Sequence, residues 1–189
     1  MARYLHGVNV PHRKKTRHLP VLPMETPKSV TIPMAMHIGK PATPIVKVGD
    51  LVQVGTKIGE ADGFVSVPVY SSVSGKVSKI TEMLMASGNK ATAVVIESDG
   101  AMTPADTIAP PAVHSREDLI AAIRDCGLVG LGGAGFPTHV KFNVEPEKIE
   151  YLIINGAECE PYVTSDTITM VERADDMARG LNALAEHMG

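Results

Sequence analysis

Residues 127–142 read GLVGLGGAGFPTHVKF, five glycines within nine positions and then a proline, a histidine and a lysine. Gly130, Gly132, Gly133 and Gly135 leave no Cβ between the main chain and a flat or anionic ligand, and successive N–H groups in such a loop can converge on phosphate oxygens. Lys141 supplies a counter-charge, and Pro137 suits the first turn of a helix whose N-terminus faces the ligand. A second stretch, INGAECEPY at 154–162, brings the opposite chemistry. Asn155 offers an amide donor and acceptor, while Glu158 and Glu160 add carboxylates suited to ribose hydroxyls or an electron-rich heterocycle. These residue types fit a nucleotide-type ligand. A plainer reading stands beside it, in which the glycines only permit close packing of a helix on a strand. The order of helix and then loop is not that of the strand-first G-x-G-x-x-G dinucleotide turn. No catalytic residue is assigned. Cys159 reads as a packed thiol. The histidines, His37 and His139 among them, lack metal-ligand spacing and read as surface or satisfied core residues, so no metal site is assigned.

Several elements must position these loops. HSREDLIAAIRDCG at 114–127 predicts a helix with Ser115 as N-cap, acids in its first turn, Leu119, Ile120 and Ile123 on one face, and Gly127 as its stop. KIEYLIIN at 148–155 reads as a short buried parallel strand that ends at Asn155. Thr164–Asp166 then cap a last helix, with Val171, Ala174, Ala178, Leu181, Ala185 and Met188 at three- and four-residue spacing. Upstream, residues 45–97 alternate short β-branched runs with glycine turns, the pattern of a compact β sandwich or barrel. Residues 101–113 are small, proline-rich and aperiodic, a linker by composition. The first 44 residues carry prolines at 11, 20, 23, 27, 33, 41 and 44, which excludes helix interiors and central strands. That region reads as an extended arm with edge strands such as SVTIPM.

Composition narrows the function classes. An aromatic content of 4% with no tryptophan argues against stacking on bases, and the basic run HRKKTRH at 12–18 alone gives only sequence-independent attraction, so no nucleic-acid partner is expected. Two cysteines are too few for a disulfide scaffold and neither lies in a CxxC pair. No apolar run approaches the roughly 20 residues that span a bilayer, and the N-terminus shows no secretory h-region. The chain therefore reads as cytoplasmic, without a direct membrane span, though able to dock on a membrane protein. Its net charge of −3 conceals an asymmetry. Residues 1–57 hold nine Lys and Arg against Glu25 and Asp50, whereas from Glu145 onward ten acids face Lys148, Arg173 and Arg179.

Two resemblances sharpen this reading. The pattern V-x-x-G-x-x-[IV]-x-E-A, followed by P-V-x-x-x-V-S-G-x-V, resembles the barrel-sandwich fold of biotinyl and lipoyl carriers. Asp62 and Gly63 stand where those carriers place Met-Lys, so a swinging-arm carrier is disfavoured and the intact mass should equal that of the unmodified sequence. GLGGAGFPTHVKF followed by INGAECEPY is similar to the loops G-R-G-G-A-G-F-P-T-G-x-K-W and N-x-D-E-x-E-P-G of the flavoprotein subunit of respiratory complex I. It is closer to the C subunits of Rnf electron-transport complexes, whose second motif reads N-x-x-E-C-E-P-Y. These also begin with a proline-rich basic segment and H-I-G-x-P-x-x-P-x-V-x-V-G-D-x-V, as do His37 to Val52 here.

The resemblance implies an α+β chain: an arm and barrel-sandwich hybrid over 1–112, then the start of an α/β flavin- and NADH-binding domain over 113–189. It implies that Gly130, Gly132 and Gly133, with Gly135 in the same loop, line FMN, and that Lys141 and Asn155 hydrogen-bond it. Phe136 and Phe142 become aromatic neighbours of the dinucleotide, with Glu158 and Glu160 near bound NADH. Leu131 departs from the complex I arginine, removing a cation from the flavin edge. The implied function is that of an NADH-oxidising flavoprotein subunit, peripheral on the cytoplasmic face of the bacterial inner membrane and partnered by the other subunits of its complex. Electrons would leave through [4Fe–4S] clusters whose cysteine motifs are absent from this chain. The chain accordingly reads as a piece of a longer protein, whose FMN binding in isolation is weak or absent. The alternative is a docking module that attaches a flavin domain to membrane partners.

Overall fold

In the computed structural model, residues 10, 11, 13–131 and 133–188 are described. Two compact units divide them, one of residues 24–145 and one joining the segment up to Pro23 with 146–189.

The larger unit is built on β-branched runs cut by glycine turns. Strands β1 (Ser29–Pro33), β3 (Leu51–Val52), β6 (Gly75–Leu84) and β7 (Lys90–Ser98) form an antiparallel sheet in the order β1-β7-β6-β3. A second sheet orders β2 (Thr43–Pro44), β4 (Lys57–Glu60) and β5 (Val69–Tyr70) as β2-β4-β5. β1 lies at an edge, as its proline demands, and a register shift between Val77 and Lys79 bends β6 against β7. The inward residues meet in one core around Met34, Ile58, Val77, Val94 and Ile96, each no more than 1% exposed. Burial of side chains of this size contributes about 1.5–3 kcal/mol each.

The stretch expected as a linker begins as part of this body. Val54 and Pro104 form a parallel bridge, Ala105 N–H donates to the Val54 carbonyl, and Ala105 is buried. Helix α1 (Arg116–Asp125) follows with the predicted cap: the Ser115 hydroxyl accepts from Asp118 N–H at 3.1 Å, and Leu119 and Ile123 are its buried residues. Gly127 ends it at φ +68°, the left-handed conformation glycine adopts without strain. The glycine loop and α2 (Thr138–Phe142) complete the unit.

The smaller unit departs from expectation in two places. Residues 149–155 form no strand: after a 3-10 turn at Pro146–Lys148 the chain runs irregularly, with Tyr151 and Ile153 about four-fifths exposed. A buried parallel strand needs ladder partners, and no other strand is among the described residues of this unit. The single last helix is two, α3 (Ser165–Glu172) and α4 (Ala174–Met188), broken at Arg173. Thr164 makes no side-chain cap; its hydroxyl pairs with that of Thr16 at 2.7 Å. From the basic run, Lys14 donates to the Glu160 and Val163 carbonyls at 3.3 and 2.7 Å.

Gly75 sits at φ +152°, and a Cβ there would stand 2.0 Å from the Glu97 carbonyl oxygen. Gly75→Ala is therefore expected to destabilise the barrel by about 3 kcal/mol, strain and clash together. Gly88→Ala, at φ +83° with nothing within 4 Å, should cost only the conformational part, about 1 kcal/mol; urea titration of both variants separates the terms. The Asp118 carboxyl is held below its usual range, chiefly by the N–H of His114 and then by the Ser115 hydroxyl. Its contribution to α1 is thus present above the unfolded carboxylate pKa and is lost as pH falls through the lower folded value. Stability measured between about pH 5 and 2 should show this acid-side loss, and Asp118→Asn should remove it.

Candidate functional site

The glycine loop is closed at its base like a short hairpin. Val129 and Pro137 form an antiparallel bridge, Gly130 N–H donates to the Phe136 carbonyl at 3.0 Å, and Thr138 N–H donates to the Leu128 carbonyl at 2.9 Å. Gly130 thus offers a ligand its missing Cβ, while its N–H is committed to the loop. The glycines divide by what surrounds them. A Cβ on Gly135 (φ +66°) would stand 2.8 Å from the Met36 carbonyl oxygen and 3.0 Å from His37 Cα; one on Gly127 would stand 2.8 Å from the Pro68 carbonyl oxygen. These two are required by the close approach of loop and barrel. A Cβ on Gly130 would meet the Lys141 ammonium at 3.0 Å, and around Gly133 nothing lies within 4 Å. These two face open space or a mobile cation. Gly132 lies outside the described residues.

Lys141 folds back over the loop, its Nζ 5.9 Å from the centroid of Phe136, near the outer limit of a cation–π contact. Phe142 is half-buried, and its carbonyl accepts from Arg116 at 3.3 Å. Leu131, at the position of the complex I arginine, is 92% exposed. At five residues α2 is little more than one turn, with Pro137 immediately before it, so it brings little of the terminal field of a longer helix.

Three side chains absent from the sequence assignment fix this loop to the barrel. Arg124, at the end of α1, donates to the Gly63 carbonyl at 3.0 Å. His139 is 2% exposed; its Nε2 donates to the Phe64 carbonyl at 2.8 Å, and its ring meets that of Phe64 edge-on with centroids 5.9 Å apart. Both partners lie in the Asp62–Gly63 turn, where carriers bear their lysine. His37, only 8% exposed, accepts Val67 N–H at Nε2 (3.3 Å) and donates from Nδ1 to the Ile38 carbonyl (2.9 Å), while Ile38 N–H donates to Gly135. The signal was present in the sequence: His139 stands where the complex I motif has glycine, a bulky ring in a loop otherwise stripped of side chains. A fourth tie is the Tyr70 hydroxyl, which donates to the Asp125 carbonyl. Burial pushes its pKa above the usual phenol value, so the protonated, donating form is favoured in the fold.

The acidic loop lies in the smaller unit. Asn155 is exposed and its Oδ1 accepts Ala157 N–H at 3.0 Å, an Asx turn in place of a strand end. Half-buried Glu158 accepts Thr167 N–H at 3.0 Å, doing for α3 what Thr164 was expected to do. Glu160 is exposed, and its main-chain carbonyl is the one held by Lys14. Cys159, expected as a packed thiol, is exposed. Among the described residues no helix is long and apolar enough to cross a membrane, and no three metal-ligating side chains gather.

Residues 2–101 match the family profile of the RnfC barrel sandwich hybrid domain. The chain belongs to the RnfC family. The barrel-sandwich architecture expected from the glycine-punctuated runs is thereby established, in an α+β chain. Residues 123–189 match the Nuo51 FMN-binding domain profile, which starts within α1 and includes both loops. Among RnfC relatives, the C subunit of the Na(+)-translocating ferredoxin:NAD(+) oxidoreductase complex of Acetobacterium woodii is 45% identical over 188 residues, 97% of this chain and 42% of that protein. The proton-translocating counterpart of Clostridium ljungdahlii is 39% identical, covering 91% of this chain and 38% of the relative. The C subunit of the ion-translocating oxidoreductase complex of Pseudomonas aeruginosa is 38% identical, with 93% and 23% covered. The chain thus spans less than half the length of these relatives.

Removing the His139 ring takes the donor from the Phe64 carbonyl and empties a buried site, so His139→Ala should lower stability by about 1–3 kcal/mol. Hydrogen exchange checks where the loss falls: the Gly130 and Thr138 amides should exchange faster while those of β6 and β7 keep their protection.

Proposed function

We propose that this chain holds FMN on its glycine loop as part of an electron-transport subunit that oxidises NADH. The observation that carries it is the open face of that loop, where Gly133 has no neighbour within 4 Å of a would-be Cβ and the nearest atom to one on Gly130 is the Lys141 ammonium at 3.0 Å, with the Phe136 main chain beyond it. A planar ring and its phosphate need such a face: bare main chain for close approach and one cation for charge. The match of this segment to an FMN-binding domain profile supports the same ligand. When bound, the flavin supplies the conversion between a two-electron hydride donor and single-electron carriers.

The residues of the chain bind and orient. Gly130 and Gly133 admit the ring, Lys141 balances negative charge, and the Phe136 ring lies beneath the Lys141 ammonium. Gly132, Gly135, Phe142 and Asn155 complete the proposed flavin and dinucleotide contacts, with Glu158 and Glu160 proposed near NADH. The functional division falls near residue 112, with barrel and arm before it and cofactor-binding sequence after it. The relatives' names, which join ferredoxin and NAD(+) to ion translocation in a complex, support further subunits as partners; the peripheral place at the cytoplasmic face of a membrane is proposed on the sequence resemblance. Iron–sulfur clusters would lie in parts of such a protein beyond this sequence. A second reading, a docking module without activity of its own, is favoured by the body that the barrel, α1 and the loop form together in one compact unit.

In a full-length protein bearing this sequence, Gly133→Val should abolish stoichiometric FMN by occupying the ring's space. Flavin content of the purified variant reads this directly, and retention of one FMN per chain would sink the assignment. The 189-residue chain itself should quench flavin fluorescence only weakly.

A further inference from the structure

A groove of about 440 Å³ runs beside the glycine loop, within the roughly 300–1,000 Å³ typical of ligand sites. Gly130, Leu131 and Gly133 form one wall. The other belongs to the barrel: Met36 and Ile38 on the segment after β1, and Met85 at the turn between β6 and β7. None of its lining residues is Lys, Arg, Asp or Glu. Leu131, Met36 and Ile38 are 92%, 53% and 39% exposed, so large apolar groups gather around one concavity, which singles it out as an interaction site.

We infer that this groove receives the dimethylbenzene end of the flavin ring, making the barrel sandwich a wall of the flavin site through Met36, Ile38 and Met85. The inference rests on the FMN reading given above. The dimethylbenzene edge is the one part of the isoalloxazine without a hydrogen-bonding group, and an uncharged apolar wall suits it. Phosphate, ribose, nicotinamide and adenine each need polar partners that these side chains lack. Methionine thioethers are polarizable and adapt to an aromatic face. Gly133 lines the same groove, and a Cβ there would have nothing within 4 Å. The spacing of the two walls is fixed by a continuous set of hydrogen bonds: Val67 N–H to His37, His37 to the Ile38 carbonyl, and Ile38 N–H to the Gly135 carbonyl. A flavin held there touches both the barrel and the loop.

Titrating the methyl-labelled 189-residue chain with FMN into the millimolar range, followed by heteronuclear NMR, tests this even at weak affinity. The Met36, Ile38 and Met85 methyls should shift on the same saturation curve as the Gly130 and Gly133 amides. Met85→Asp, on an exposed turn, should weaken that binding about tenfold or more by setting a carboxylate against the ring. Loop amides that respond while all three methyls stay still would overturn the inference and leave the FMN reading intact. Methyls that respond to NADH in a parallel titration and not to FMN would also overturn it. If FMN moves neither set, the groove does not hold flavin, and the Gly133→Val variant of the full-length protein decides the broader reading independently.

Discussion

The larger unit turns on one close approach of main chain to main chain. Gly135 lies against Met36 and His37 so tightly that a Cβ would fall 2.8 Å from a carbonyl oxygen, and its own carbonyl accepts from Ile38. Only glycine meets both demands, the distance and the positive φ. Once this contact is made, the loop cannot drift from the barrel, and Lys141, Phe136 and Gly130 inherit their positions from it. His37 extends the constraint inward: both ring nitrogens are used, one by Val67 and one by Ile38, so a ring under the barrel surface sets the attitude of a loop outside it. The glycine cluster therefore divides by its neighbours, with Gly127 and Gly135 pressed against the barrel, Gly130 under the Lys141 ammonium and Gly133 open.

That division was not legible in the sequence, because glycine looks the same whether a backbone or a ligand takes the vacated space. Local features were legible. Ser115, the acids after it and Gly127 bounded α1 correctly, since a cap is a contact between residues three apart and needs nothing from the rest of the chain. The β sandwich was legible for a related reason: glycine turns recur between β-branched runs, and each turn is decided by its own residues. The motifs of the two loops, in order, pointed to the RnfC family.

What failed in the smaller unit were features that need a distant partner. Tyr151 to Asn155 have the composition of a buried strand, yet a strand is a property of a ladder, and hydrophobic composition cannot supply a neighbour. Thr164 has the right side chain for a helix cap but is engaged by Thr16, nearly 150 residues away in sequence, and the task passes to Glu158. The same displacement explains the place of Asn155, expected at the end of a strand and found in an Asx turn. Carboxylate and amide side chains satisfy the nearest main-chain N–H first, and spacing in a motif does not reveal which one that is.

The turn at Asp62–Gly63 has a consequence of its own. In a carrier this hairpin is the travelling end of the molecule, and its cargo reaches several stations by swinging between them. Here Arg124 and His139 hold two consecutive carbonyls of the turn, at Gly63 and Phe64, and the tip becomes a mooring. A turn held at two adjacent points cannot travel from station to station as a carrier's does, so anything that meets it must come to it.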